Sequence, residues 1–216
     1  MMQEERQQPG LNAIPASSES ATGRRAHCGR CLRAMRTCIC DLCPDAARID
    51  NQAALLIVQH PDEEKEAKGS ARLLHLSLQH SVLQCSRDLG AAALYEMLYA
   101  DGRQPVLLYP PDPGAPPPSP LRLAPQQMRL VALDATWRKS RALLRDFPTL
   151  VSLPRLALHA QQERRYLIRK AHAPHQLSTL EACALALAQV ENAQQRYAPL
   201  LAAFDAFNAR WLRFVP

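Results

Sequence analysis

Apolar and polar positions alternate along the chain in blocks that are typical of an α/β protein. From about residue 52, short aliphatic runs that predict buried strands are separated by amphipathic runs that predict helices. The predicted strands are 53–59, 81–85, 105–109 and 128–134, and the predicted helices are 70–78, 89–100, 137–147, 178–197 and 199–214. This alternation favours a mostly parallel sheet that is flanked by helices on both faces.

Several segments fall outside this periodicity. Residues 1–25 are polar and are predicted to form a disordered tail. Residues 26–44 form a Cys- and Arg-rich module that is too small to have its own core, so residues 45–216 are expected to form the main domain. The proline-rich stretch 110–125 predicts a surface loop, because proline suits neither a helix interior nor a central strand. Residues 150–158 are predicted to be extended and interrupted at Pro154.

The charge and the cysteine content narrow the class of function. A net charge of +6 suggests a polyanionic partner, although a basic surface without such a partner remains an alternative. The first 25 residues lack the apolar segment of a secretory signal, and the longest aliphatic run, 53–58, is too short to cross a bilayer. We therefore expect a cytoplasmic protein without a membrane span. In a reducing compartment, seven cysteines indicate metal binding or catalysis more than disulfides.

Five of the cysteines lie close together, at Cys28, Cys31, Cys38, Cys40 and Cys43. The first two form a Cys-x2-Cys pair, whose thiolates can reach one ion from a single turn. The second pair is either Cys38 with Cys40 or Cys40 with Cys43. Four thiolates in so short a segment predict a closed, structural Zn²⁺ site, and an iron–sulfur cluster is the alternative. Cys85 and Cys183 lie in apolar surroundings and are predicted to be buried.

Arginines surround this cysteine cluster, at Arg24, Arg25, Arg30, Arg33 and Arg36. No acidic residue lies among them before Asp41. Arginines on a metal-held loop suit contact with phosphate groups, and the alternative is that they only solubilise a small module.

The end of the last predicted strand carries an unusual group of side chains. Asp134 follows an apolar run and directly precedes a predicted helix, so it is expected at the mouth of a ligand crevice. There a carboxylate can act as a general base or accept a hydrogen bond from a ligand. The alternative is a helix cap at Asp134 with Trp137 as a core anchor. Trp137 can also stack on a base or an adenine ring.

Four motifs in order resemble one family. Asp134-Ala135-Thr136-Trp137 resembles the signature of the DTW-domain family, the tRNA-uridine aminocarboxypropyltransferases. The other matching stretches are Cys28-x2-Cys31-x6-Cys38-x-Cys40, then His60-Pro61-Asp62-Glu63 running on to Ser70 and Leu73, and Ser178-Thr179-Leu180-Glu181-Ala182 with Tyr166 and Arg169 upstream. The chain departs from the family at Gly69-Ser70, where the family usually has Asn-Thr, and at Ala135, where it often has glycine.

The resemblance implies a fold, a reaction and a substrate. The fold is a SPOUT-like α/β sheet with a small zinc-binding module at its N-terminal end, and the presence of a knot stays open. The reaction transfers the 3-amino-3-carboxypropyl group from S-adenosylmethionine to N3 of a uridine in tRNA and releases methylthioadenosine. In bacterial members the target is a uridine of the variable loop, at tRNA position 47. Monomer and homodimer both remain open.

The resemblance also implies roles for individual residues. Asp134 is expected to be catalytic, and Cys28, Cys31, Cys38 and Cys40 are expected to hold zinc. The residues expected to bind S-adenosylmethionine are Glu63, Ser70, Thr136, Trp137, Ser178, Thr179 and Glu181. Those expected to bind RNA are Arg30, Arg33, Arg36, Arg138 and Arg169. Ser178 and Glu181 also fit a helix capping box, and Glu63 also fits a solvated surface acid.

Two other functions remain open at the level of sequence. One is an S-adenosylmethionine-dependent RNA methyltransferase on a similar fold. The other is a non-catalytic zinc-ribbon protein that binds RNA. The presence of both Asp134 and the block from Ser178 to Glu181 argues against a protein without catalysis.

Overall fold

The computed structural model describes residues 26–44, 48–112, 114, 122–158 and 177–212. The expected disordered tail, half of the proline-rich stretch 110–125 and the segment 159–176 lie outside these residues. Tyr166 and Arg169, two residues of the predicted site, are therefore not placed. The chain path between Leu158 and Leu177, which bears on the presence of a knot, also lies outside the described residues.

The centre of the fold is a parallel sheet, as the sequence predicts, and in the described chain it has five strands where four strands and an extended segment were predicted. The strands of the described chain are β1 (Ala54–Gln59), β2 (Ser81–Cys85), β3 (Gln104–Leu108), β4 (Met128–Asp134) and β5 (Arg155–Leu156). Their order across the sheet is β2-β1-β4-β3-β5, and every pairing is parallel. Every residue of β1 is buried, and so are all residues of β4 except one. Their uninterrupted aliphatic runs suit strands that are covered on both faces.

Helices cover both faces of the sheet. They are α1 (Pro61–Glu64), α2 (Ala71–Ser77), α3 (Ala91–Tyr99), α4 (Trp137–Asp146), α5 (Pro148–Val151), α6 (Thr179–Glu191) and α7 (Gln194–Leu212). Leu55 and Ile57 of β1 pack with α2, α6 and α7, whereas Leu56 and Val58 pack with α3, α4 and α5. This division follows from the strand itself, because successive side chains point to opposite faces. Within the described ranges, none of these helices combines the length and the apolar character that a membrane span requires.

The structure corrects the predicted bounds of one extended segment and of the last two helices. Residues 150–158 are not extended throughout, because Pro148 begins the short helix α5, which carries Leu150 into the core. The extended part is the two-residue strand β5, which starts directly after Pro154. The penultimate helix ends at Glu191, because Asn192 adopts a left-handed conformation (φ 48°) that terminates it. The last helix begins at Gln194, so Pro199 lies inside it and not at its start.

The cysteine module, residues 26–44, is docked on the main domain. It contains two short 3₁₀ helices, at Met35–Thr37 and Cys40–Leu42. Its buried side chains, Cys31 and Ile39, belong to the same apolar cluster as α2, α6 and α7. Arg210 of α7 donates hydrogen bonds to the Cys38 carbonyl (2.6 Å) and to the Asp41 carboxylate (2.5 Å). The module therefore shares the core of the domain.

Helix α6 is held to the sheet at its C-terminal end. One carboxylate oxygen of Glu191 accepts hydrogen bonds from the backbone N–H groups of Gln52 (2.8 Å) and Ala53 (3.0 Å), just before β1 begins. The other oxygen pairs with Arg196, and the Glu191 side chain is 0% exposed. Because α6 is anchored where β1 begins, its N-terminal end lies near the edge where β1 and β4 end.

We expect Glu191→Ala to lower the free energy of unfolding by about 2–4 kcal/mol. The substitution removes the acceptor of the Gln52 and Ala53 backbone N–H groups and the ion-pair partner of Arg196. Urea denaturation followed by circular dichroism measures the change. Glu96→Ala, at an exposed position of α3, is the matched control and should shift stability by less than about 0.5 kcal/mol. Equal stability of the two variants would contradict the anchoring role of Glu191.

Candidate active site and metal centre

The four cysteines of the predicted zinc site come together in the structure. The Sγ atoms of Cys28, Cys31, Cys38 and Cys40 all lie within 4.8 Å of one another. Two of these separations, Cys28–Cys40 and Cys31–Cys38, are 3.6 and 3.7 Å. Tetrahedral zinc with Zn–S bonds near 2.3 Å requires sulfurs about 3.8 Å apart, so the cluster could bind this ion. The Cys43 Sγ lies outside the cluster, 3.7 Å from the Ile39 carbonyl oxygen.

The local backbone explains why this set is assembled. In the turn that carries Cys28 and Cys31, the Leu32 N–H donates to the Cys28 carbonyl (2.8 Å), and the Cys28 N–H donates to the Arg33 carbonyl (2.7 Å). Hydrogen bonds from the backbone N–H groups of Cys31 and Arg30 lower the pKa of Cys28 to about 6. Burial raises the pKa of Cys40, so the Cys28 thiol ionises more readily than the Cys40 thiol. A bound cation would favour the thiolate form of all four.

Cys85 and Cys183 differ in their surroundings. Cys183 of α6 is fully buried, as predicted, and burial raises the pKa of its thiol. Cys85 is only half-buried, since it ends β2 at the edge of the sheet, with its Sγ 3.9 Å from Arg87. The prediction that Cys85 is buried is wrong because an edge strand has a neighbour on one side only.

Asp134 ends β4 and is almost completely buried (6% exposed). One carboxylate oxygen accepts a hydrogen bond from the Gln59 side-chain amide (2.8 Å), and the other accepts one from the Thr179 hydroxyl (2.7 Å). Gln59 is paired with Asp134 in the register of β1 and β4, and Thr179 is the first residue of α6. The helix-cap interpretation of Asp134 is wrong, because Thr136 caps α4 by accepting from the Lys139 N–H (3.5 Å).

The N-terminus of α6 is held in place by the predicted capping box. The Ser178 hydroxyl accepts from the Glu181 N–H (3.2 Å), and the Glu181 carboxylate accepts from the Ser178 N–H (2.9 Å). The Leu180 N–H donates to the hydroxyl oxygen of Ser70 (3.3 Å), which precedes α2. Ser70, Ser178 and Glu181 therefore position the helix end that presents Thr179 to Asp134.

A cavity of about 390 Å³ lies where β3, β4 and β5 end and α4 and α6 begin. Its lining is mostly apolar and includes Leu108, Leu133 and Leu156. Two aromatic residues, Tyr109 and Trp137, and the hydroxyl residue Thr179 also line it. Trp137 is 49% exposed and meets the ring of Tyr109 edge to face, with centroids 5.7 Å apart. Trp137 is therefore not a core anchor. We name this space the strand-end cavity.

A larger space, of about 780 Å³, lies between the cysteine module and the segment 63–72, and we name it the module cleft. Gln59 and Glu63 line it, so Glu63 lies apart from Trp137 and Thr179, which line the strand-end cavity. Glu63 is buried and forms an ion pair with Lys139 of α4 (3.0 Å). Lys139 also pairs with Asp62 (3.2 Å), so it joins α4 to α1.

The predicted RNA-binding arginines differ in their exposure and in their contacts with the rest of the protein. Arg30, Arg36 and Arg138 are exposed, whereas Arg169 lies outside the described residues. Arg33 donates to the carbonyls of Ala67 and Gly69, the latter at 2.7 Å, and its guanidinium lies 5.3 Å from the Phe207 ring centre. Arg33 therefore ties the cysteine module to the loop between α1 and α2.

Sequence reasoning missed two polar residues of the site, Gln59 and Lys139. Gln59 carries a recognisable signal, since it is the polar end of an apolar strand, as Asp134 is of the neighbouring strand. Lys139 has no such sequence signal, because it is one of several basic residues in a predicted amphipathic helix. Its partner Glu63 is 76 positions away and only the fold brings them together.

Comparisons with known proteins converge on one family. The family model described as DTW domain matches residues 25–212. A Drosophila melanogaster protein named tRNA-uridine aminocarboxypropyltransferase 2 is 30% identical over 189 residues, which cover 85% of this chain and 71% of that protein. Proteins of the same name from Macaca fascicularis and Mus musculus are 25% and 27% identical, over 78% and 84% of this chain. The chain covers only 57% and 61% of those two proteins. No solved structure matches the chain significantly.

We expect the purified protein to contain one zinc ion per chain, held by Cys28, Cys31, Cys38 and Cys40. Elemental analysis measures the stoichiometry. Cys38→Ser should lose most of the metal because it removes one of four thiolate ligands, whereas Cys43→Ser should keep it because that thiol lies outside the cluster. The reverse pattern would show that the second ligand pair is Cys40 with Cys43.

Proposed function

The chain belongs to the DTW-domain family, and from that membership we propose that it transfers the 3-amino-3-carboxypropyl group of S-adenosylmethionine to N3 of a uridine in tRNA. The names of its relatives support this class of reaction. The observation that carries the proposal is the position of Asp134. Its carboxylate is hydrogen-bonded to Gln59, which lines the module cleft, and to Thr179, which lines the strand-end cavity.

The strand-end cavity is the proposed site for S-adenosylmethionine. Ligands of parallel α/β sheets bind beyond the carboxyl ends of the strands, where this cavity lies. The leucine and aromatic lining suits an adenine ring, and about 390 Å³ lies within the range of small-ligand pockets, ~300–1,000 Å³. The N-terminal ends of α4 and α6 border the cavity, and their positive dipole ends favour the carboxylate of the methionine part.

Within this proposal, the predicted donor-binding residues fall into two groups. Trp137, Ser178 and Thr179 contact the donor, because they line the cavity. Glu181 and Ser70 act through the backbone, by holding the N-terminus of α6 at the cavity wall, and the Ser178 hydroxyl also caps that helix end.

Thr136 and Glu63, the other two residues predicted to bind S-adenosylmethionine, do not line the strand-end cavity. Thr136 caps α4 and thereby orients Trp137, the first residue of that helix. Glu63 lines the module cleft and forms an ion pair with Lys139. We therefore assign Glu63 to the side of the site where the RNA would bind, and not to the S-adenosylmethionine pocket.

The proposed chemistry is a single displacement. The N3–H of uracil is a weakly acidic imide, and its nitrogen attacks the γ-methylene carbon of the sulfonium. A bond forms between N3 and that carbon, and the carbon–sulfur bond breaks with its electron pair going to sulfur. Methylthioadenosine leaves as a neutral thioether, and the N3 proton passes to the Asp134 carboxylate. Each carboxylate oxygen has a second lone pair, so Asp134 can accept this proton while it keeps its bonds to Gln59 and Thr179.

Positioning decides which group is transferred. The methyl and the aminocarboxypropyl carbons are bonded to the same sulfur, and the nucleophile takes the carbon that lies in line with it. The capping box and the Thr179–Asp134 hydrogen bond hold the cavity wall and the carboxylate in one geometry. We propose a variable-loop uridine, as in the bacterial members of the family, as the target.

The four-cysteine centre has a structural part in this proposal. Four thiolate ligands would complete the coordination of zinc and leave no position for a substrate. When bound, the ion would hold together the turn that carries Arg33. No step of the transfer passes through it.

With S-adenosylmethionine and an unmodified tRNA transcript, we expect methylthioadenosine as the small product and 3-amino-3-carboxypropyluridine in the RNA. Liquid chromatography with mass spectrometry of both fractions measures this. S-adenosylhomocysteine as the main product would identify a methyltransferase. If neither product forms while the protein still binds tRNA, a non-catalytic RNA-binding protein would be the better description.

We expect Asp134→Asn to lower the transfer rate by about 10²-fold or more, because an amide cannot take the N3 proton. The fold should be kept, since the Gln59 amide can rotate to accept a hydrogen bond from the new asparagine. Single-turnover kinetics measures the rate, and calorimetry with S-adenosylmethionine measures binding, which we expect to change little. Thr179→Val, which removes one donor to Asp134 but keeps the carboxylate, is the control and should be less impaired. Normal turnover of Asp134→Asn would exclude a general base at this position.

A further inference from the structure

The module cleft is a concave surface of about 780 Å³ that the proposed donor site does not use. We propose that it receives the target nucleotide of the RNA, swung out from its neighbours, and delivers the base to Asp134 from the side opposite the donor. The proposal rests on the proposed function and adds to it the route by which the second substrate enters.

The position of Asp134 is the first argument. Displacement at a sulfonium requires the attacking nitrogen and the leaving sulfur to lie on opposite sides of the carbon. Gln59, which lines the module cleft, and Thr179, which lines the strand-end cavity, donate to different oxygens of Asp134, so hydrogen bonds link this carboxylate to the walls of both spaces. The proposal therefore places the base on the Gln59 side of the carboxylate and the donor on the Thr179 side.

The charges of the module cleft are the second argument. Of its three acidic side chains, Glu63 pairs with Lys139, Glu64 pairs with Arg87 (2.8 Å), and Glu66 accepts a hydrogen bond from the Lys68 backbone N–H (3.1 Å). Arg36 and Arg72 also line the cleft, and within the described ranges neither has a carboxylate partner. Guanidinium groups bind phosphate in a bidentate manner, so these two arginines suit the phosphates on either side of an extruded nucleotide.

The apolar rim is the third argument. Leu32 lines the cleft at the tip of the cysteine turn, is 59% exposed and has a left-handed backbone (φ 60°). A leucine held in this conformation, with its side chain in solvent, costs stability and is expected mainly where it has a use. Trp211 lines the same cleft. Aliphatic and aromatic side chains of this kind contact the faces of unstacked bases.

The size of the cleft agrees with such a ligand. About 780 Å³ is near the upper end of the range for small-ligand pockets, ~300–1,000 Å³, and exceeds what a free base would need. Arg33 also lines the cleft, but its guanidinium donates hydrogen bonds to the backbone carbonyls of Ala67 and Gly69. We therefore assign Arg33 to the wall of the cleft, as the residue that fixes the distance between the module and the loop, and Arg36 with Arg72 to the phosphates.

The test measures the affinity of the full-length, zinc-loaded protein for an unmodified tRNA transcript at several salt concentrations. We expect Arg36→Gln and Arg72→Gln each to reduce the slope of log affinity against log salt by about one, and the double variant by about two. Arg145→Gln is the matched control. It makes the same charge change in the last turn of α4, which runs away from the strand ends, and should leave the slope unchanged. Affinity for S-adenosylmethionine should be the same in all four variants.

A cross-linking experiment locates the base independently of charge. With 4-thiouridine in place of uridine in the transcript, irradiation should attach RNA to peptides from residues 26–44 and 61–72. Salt slopes for Arg36→Gln and Arg72→Gln that match the control, or cross-links confined to other peptides, would overturn the proposal. If wild-type protein forms methylthioadenosine and these results still fail, the cleft is wrong and the proposed function stands. If the cleft results hold but no methylthioadenosine forms, the proposed reaction fails and the RNA site stands.

Discussion

The parallel pairing of β1 with β4 is the constraint on which the site depends. Its register places Gln59 beside Asp134 at the ends of the two central strands. A slip of one residue in either strand would turn the last side chain of that strand to the opposite face of the sheet and separate Gln59 from Asp134. A buried carboxylate is costly without donors, and this register supplies one while α6 supplies another through Thr179. Strand pairing and helix placement thus determine which hydrogen bonds the Asp134 carboxylate accepts.

A continuous series of contacts joins the cysteine module to that carboxylate. Arg33 of the module holds the Gly69 carbonyl, and the next residue, Ser70, accepts a hydrogen bond from the N-terminus of α6. Gly69 suits this tight loop, because a Cβ at that position would lie 3.1 Å from the Glu66 carbonyl oxygen. The end of α6 then presents Thr179 to Asp134. A metal ion bound by the module would therefore affect the geometry of the site although it lies outside the proposed reaction.

Much of the candidate site was predictable because its residues are encoded locally. The four clustered cysteines and the capping box from Ser178 to Glu181 depend on short spacings that a turn or a helix end brings together. Other roles were not predictable, because they depend on partners far away in sequence. Arg33 looks like its neighbouring arginines until its guanidinium meets a loop more than 30 residues away. Glu63, with Lys139 as its partner, faces the cleft and not the cavity that Trp137 lines.

By itself, the sequence determined the class of the fold, since buried parallel strands require aliphatic runs and the helices between them require amphipathic ones. It also determined that four of the five clustered cysteines can share an ion, and where a carboxylate ends a strand, whereas the structure selected Cys38 and not Cys43 for the cluster. Only the tertiary structure decided that Asp134 is hydrogen-bonded to Gln59 and Thr179, that Thr136 rather than Asp134 caps α4, and that Trp137 is half exposed. The physical reason is that periodicity records whether a residue is buried, whereas the partner that it meets depends on the strand order and the packing of distant helices.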